Sequence, residues 1–143
     1  MVMKERKTVR KTFLRKRGQY DDPGEEVTRN TPAFLPPMKK KGETASRMDL
    51  AEWFVDRRNP LTARTAVNRF WQQFFGVGLV KTSEDLGSQG EPPSHPELLD
   101  YLAVSFLDSD WDIKALVRQI VLSKTYRQSS LATKAEFKKD PEN

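Results

Sequence analysis

The sequence predicts a mainly α fold: a small bundle of about four helices, preceded by a short N-terminal strand and a proline-rich segment. Three observations carry that reading. From residue 46 onward apolar residues recur at intervals of three and four, the spacing that puts them on one face of a helix. Cap and proline signals stand in front of these runs. β-formers cluster instead in residues 8–15.

Residues 8–15, Thr-Val-Arg-Lys-Thr-Phe-Leu-Arg, read as one strand with Val9 and Phe13 on a common face and basic side chains on the other. Its partner is either a second short strand near residues 26–35 or lies in another chain or in sequence beyond this one, because a lone strand leaves its ladder unmade. Asp21-Asp22-Pro23-Gly24 reads as a turn. Residues 28–43 hold Pro32, Pro36 and Pro37 and then three lysines, an extended and partly polyproline-like linker. Ser46 and Asp49 form a weak capping box for a first helix running to about Asp56 or Arg57, with Leu50, Ala51, Phe54 and Val55 as its apolar face. Asn59-Pro60 opens the second helix, where Ala63, Val67, Phe70, Trp71, Phe74 and Phe75 make the clearest stripe, and Gly76 closes it. Residues 79–93 are an irregular connection, long enough to expect either a function or firm packing. Ser94 to Glu97 reads as a capping box for a third helix that buries Leu98, Leu99, Leu102, Ala103 and Phe106. Asp112 caps a fourth, with Ile113, Leu116, Val117, Ile120 and Val121 on one face. The organisation is thus residues 1–43 as basic strand and proline-rich segment, 44–130 as helical domain, and 131–143 as a polar tail of a longer chain.

Composition removes many function classes. The chain has 143 residues, no cysteine and one histidine. That excludes a disulfide framework, a thiolate metal site, a Cys nucleophile and any multi-histidine metal site. A Ser-His-Asp triad would depend wholly on His95. No apolar run reaches the ~20 residues of a membrane-spanning helix, and no signal-peptide pattern opens the chain. The net charge of +5 is unevenly spread. Residues 1–17 hold eight basic residues and one acid, whereas the remaining 126 hold 17 basic and 19 acidic residues. A basic arm of that kind neutralises phosphates or protects a sheet edge. Phe13 is its one ring before Tyr20, so it lacks the interleaved aromatics that stack on bases.

Several blocks resemble a planctomycete domain of unknown function. They are Asn59-Pro60-Leu61-Thr62-Ala63-Arg64, Val67-Asn68-Arg69-Phe70-Trp71, Phe75-Gly76-Val77-Gly78-Leu79-Val80, Glu84-Asp85-Leu86-Gly87 and Gln89 through Asp100, followed by Trp111 and Ser123 through Ser130. Shorter pieces near Arg17–Tyr20, Pro23–Val27 and Pro32–Pro37 are similar as well. The resemblance implies a position near the C-terminus of large secreted proteins that carry planctomycete-type cytochrome c domains. It implies a periplasmic or secreted location, no cofactor in this chain itself, haem in flanking domains, and sequence continuing on both sides. It carries over no catalytic residue, and a fold likeness supplies none.

Candidate site residues come from the second helix and the long connection. Arg64, Asn68 and Gln72 are four apart and make a polar stripe, with Arg69 beside it. The stripe either binds a polar or anionic ligand or holds the 79–93 loop through Glu84, Asp85 and backbone carbonyls. Glu84, Asp85, Glu91 and Glu97 offer carboxylates of the kind that work in pairs in glycoside hydrolysis, though Asp85 and Glu97 also suit caps and arginine partners. His95, at the start of the third helix, is a base or single ligand in one reading and a packed loop residue in the other. Trp53, Trp71 and Trp111 read as core unless exposed together for stacking on sugar. Three functional readings follow. The first is a non-catalytic module packing against neighbouring domains of its parent protein, with the loop held by Arg64 and Arg69. The second is part of an enzyme acting on carbohydrate or another polymer, with a polysaccharide as partner. The least favoured is nucleic-acid binding through residues 4–17.

Overall fold

The computed structural model describes residue 8, residues 10–129, residue 131 and residues 133–139. It is mainly α, with a short antiparallel sheet at the N-terminus, as the sequence predicts. The chain divides into two compact units, Met1–Asn59 and Pro60–Asn143.

The first unit begins with β1 (Thr12–Arg15) and β2 (Pro23–Val27), which pair antiparallel with Thr12 opposite Val27 and Phe13 opposite Glu26. The strand therefore finds its partner within the chain, somewhat earlier than residues 26–35. The turn also moves: Lys16–Gly18 form a single 3-10 turn with Arg17 at φ 49°, and Pro23-Gly24 already belong to β2. Arg15 decides this geometry. Its guanidinium donates to the Tyr20 carbonyl at 2.6 Å and lies 4.7 Å from the Tyr20 ring, which folds residues 16–22 back over the strand end. Val9 and the first part of the basic arm, including Lys4, Arg6 and Lys7, lie outside the described residues.

Helix α1 spans Arg47–Phe54, shorter than expected, and Leu50, Phe54 and Val55 are exposed. The buried side is Asp49 and Trp53, four residues apart and so on one face. Polar anchoring chose that face. Asp49 completes the capping box with Ser46 and accepts the Lys41 N–H at 3.3 Å, while Trp53 Nε1 donates to the Pro36 carbonyl at 2.6 Å. These bonds tie α1 to the proline-rich segment. The Ser46 hydrogen bonds hold the Asp49 carboxyl below its ordinary range.

The second unit holds α2 (Pro60–Phe75), α3 (Pro96–Asp108) and α4 (Ile113–Val121), with α5 (Lys134–Lys139) in the polar tail. Val67, Leu99, Leu102, Phe106, Leu116 and Ile120 meet in one core, joined by Leu79 and Val80 from the long connection. Rings fill its margins: Phe70 and Trp111 each stand edge-on to Phe106, and Trp71 stacks on Phe75 at 4.2 Å. α3 stops where Asp110 and Trp111 both take left-handed conformations, φ 56° and 62°. Such a φ is uncommon for a bulky residue. Here the Trp111 N–H reaches the Phe106 carbonyl at 3.0 Å while its ring packs on the Phe106 ring, so the reversal is held at both ends. Asp112 then caps α4 by accepting the Ala115 N–H.

Among the described residues no helix is long and apolar enough to cross a membrane. Replacing the helix cap in Ser46→Ala removes its bond from the Asp49 N–H and should lower the stability of the first unit by about 1 kcal/mol. Urea unfolding followed by the amide NMR signals of residues 47–54 checks this.

Candidate functional site

The long connection, Leu79–Ser94, is the part of the second unit where polar groups are most densely organised. Its ends are clasped. Ser94 donates to the Leu79 carbonyl from both its N–H, at 2.8 Å, and its hydroxyl, at 3.2 Å. Leu79 and Val80 are apolar and buried, so their peptide groups need partners. Asn68 provides them from α2. Its Oδ1 accepts the Val80 N–H at 2.8 Å, and its Nδ2 donates to the Val80 carbonyl at 3.0 Å and to Ser83 Oγ at 3.1 Å. Ser83 passes the chain on by donating to Gln72 Oε1 at 2.9 Å. Asn68 thus pairs with Val80 as a neighbouring strand would, yet it does so with a side chain. It is 1% exposed, so these bonds are shielded from water.

Two glycines make room for this arrangement. A Cβ on Gly78 would stand 2.7 and 2.8 Å from the Asn68 amide atoms and 2.6 Å from the Val80 carbonyl. A Cβ on Gly90 would fall 2.0 Å from the Asp85 carbonyl, at the place where the loop crosses itself. Thr82 organises that crossing: its hydroxyl donates to the Asp85 carbonyl at 2.8 Å and accepts the Glu91 N–H at 3.0 Å.

The sequence candidates are placed as follows. Asn68 and Gln72 face the loop. Arg64 turns instead toward α3, donating from Nε to Asp100 at 2.6 Å and from Nη1 to the Pro60 carbonyl. Arg69 is exposed, and among the described residues it has no hydrogen-bond or ion-pair partner. The expectation that Arg64 and Arg69 hold the loop is therefore corrected. Arg69 lies two residues from the buried Val67, about 200° round the helix, and points away from the core. Glu84, Asp85 and Glu91 are exposed. Asp85 accepts the Gly87 N–H at 2.7 Å, a bond within the loop. His95, also exposed, is the cap residue of α3 but makes no side-chain cap; its Nδ1 lies 3.1 Å from Ser94 Oγ. The expected Ser94–Glu97 capping box does not form, because the Ser94 hydroxyl is engaged by Leu79 and Pro96 takes the first helical position. Trp71 and Trp111 pack against the core rather than standing out as a stacking platform. Among the described residues no group of three or more histidines and carboxylates is placed to hold a metal ion. Ser83 was not singled out in the sequence, and Gly78 was read there as following the helix end at Gly76 rather than as making room for Asn68.

A family model matches residues 46–143, more than half of the chain. The chain belongs to the family described as protein of unknown function (DUF1553). The matched region starts at the Ser46 cap and takes in α1 to α5 together with the clasped loop. No curated protein and no solved structure matches the chain.

Asn68→Ala strips the partners from two buried peptide groups and should cost about 3 kcal/mol. Protease cleavage within residues 84–91 should rise with it. Arg69→Ala should leave both the melting temperature and the cleavage pattern unchanged. The Arg64 hydrogen bond holds Asp100 below its ordinary value. A carboxylate depressed in the folded state contributes stability above its unfolded pKa, and that contribution is lost as pH falls through the folded value. Acid melts below about pH 4 should therefore be shallower in Asp100→Asn than in the parent chain.

Proposed function

We propose that this chain is a helical, non-catalytic module of a larger secreted, cytochrome-associated protein of the planctomycete type. In this reading it works by packing against neighbouring domains of the same parent. The observation that carries the reading is the use made of the loop's polar groups. The side chains best able to form a polar site, those of Asn68, Gln72, Ser83 and Thr82, are engaged in holding the loop's own backbone and one another. The carboxylates of Glu84, Asp85 and Glu91 stand exposed around it. A loop built in this way is a rigid shaped surface.

A second observation agrees with packing. Ile113 on α4 and Leu122 just after its end are about half exposed, 49% and 56%, and with Val117 and Val121 they line an open cleft of about 490 Å³. An apolar stripe of this kind suits a neighbouring domain of the same protein. Haem belongs to the flanking domains in this proposal, and the location is periplasmic or extracellular.

The test is to sequence the gene on both sides and to purify the parent protein. One reading frame should carry a signal peptide and a Cys-x-x-Cys-His motif upstream, and the parent should bind haem. A stop codon just after Asn143 together with a translation start at Met1 would overturn the proposal. In the parent protein, Ile113→Lys with Leu122→Lys should raise protease sensitivity around this module. The melting temperature of the isolated chain should stay within a few degrees, since both side chains are already half exposed there.

A further inference from the structure

We infer that the cleft between the β1–β2 hairpin and residues 40–45 binds a small hydroxylated molecule carrying a phosphate or sulfate ester. The cavity measures about 600 Å³, within the range of small-ligand sites. Among the described residues four cations line it, Arg10, Lys11, Arg29 and Lys40, against two carboxylates, Glu26 and Glu43. Lys11 is bound to Glu26 at 3.2 Å, so that pair neutralises itself. Arg29 donates from Nη1 to the Ala45 carbonyl at 2.9 Å, which fixes its guanidinium at the cleft wall. The side chains of Arg10 and Lys40 have no hydrogen-bond or ion-pair partner among the described residues, although both residues line the same cavity.

Cations gathered in one concave site repel each other, and an oxyanion relieves that repulsion through charge-assisted hydrogen bonds. The rest of the wall defines the remainder of the ligand. Thr8, Thr12, Thr28 and Thr44 present hydroxyls, which both donate and accept and so match hydroxyl groups. Among the described residues the lining includes no aromatic ring, which disfavours a nucleobase. A sugar ester meets both conditions. Every lining residue precedes Ser46, where the family match begins, so the inference is independent of the module reading above.

Titration of the full chain, followed by amide NMR and calorimetry, tests it. The probes are glucose 6-phosphate, glucose 6-sulfate, glucose, inorganic phosphate and inorganic sulfate. At least one ester should bind saturably and shift the amides of Thr12, Thr28 and Thr44. The tighter ester identifies the group. Arg10→Gln with Lys40→Gln should weaken binding about tenfold or more. Both side chains are exposed and outside strands and helices, and Lys40→Gln alone should also weaken binding measurably. Lys114→Gln with Arg118→Gln, in the other unit, should change nothing. Absence of saturable binding at millimolar ester overturns the inference. So does equal weakening by the control pair, or inorganic ions binding as tightly as the esters.

Discussion

The second unit depends on one side chain acting as a piece of backbone. The long connection must bury Leu79 and Val80 to complete the core, and burying them takes the Val80 peptide groups out of water. Among the described residues no strand or helix backbone receives those groups. The Asn68 carboxamide does, with a donor and an acceptor set side by side as in a peptide. Gly78 lets it approach, Ser83 and Gln72 steady its remaining donor, and Ser94 closes the loop below it. α2 carries both the apolar face that packs on α3 and the amide that seats the connection. The helix therefore organises two neighbours that differ entirely in chemistry.

The first unit is held differently. Its buried residues are few, and two of the most deeply covered, Asp49 and Asn59, are polar. What joins its pieces is a set of directed bonds: Trp53 to the Pro36 carbonyl, Arg29 to the Ala45 carbonyl, and Lys41 to both Asp49 and Glu52. Lysine and arginine predominate where these segments meet. Directed hydrogen bonds to backbone carbonyls therefore do much of the joining between these segments.

Much of this was legible in the sequence, and the misses have physical causes. The stripes of α2, α3 and α4 were readable because a large apolar face leaves one periodic solution. The face of α1 was misread because Asp49 and Trp53 are engaged by the cap and the proline-rich segment that precede the helix, Ser46, Lys41 and Pro36, which helical periodicity cannot register. Pro23-Gly24 looked like a turn by composition, yet the Arg15 contacts with Tyr20 place the reversal before it. On α2 the polar stripe was found but its roles were misassigned, since arginine is the usual partner for loop carboxylates. The helical phase already excluded Arg69: Ala63 and Val67 mark the buried direction, and Asn68 stands about 100° from it, whereas Arg69 lies nearly opposite. Ser83 was invisible for another reason. A single hydroxyl in an irregular stretch shows its importance only once a buried amide is found beside it.

The Asn68–Val80 pairing also sets a timescale. The Val80 amide hydrogen is covered by a side chain rooted in the middle of α2, not by a neighbour within its own loop. Loops ordinarily exchange their amide hydrogens with solvent through small local openings. Here the Val80 hydrogen is released only when the loop leaves α2. An irregular segment thus contains one site whose deuterium uptake tracks the detachment of the whole connection from α2, an opening larger than a local loop fluctuation.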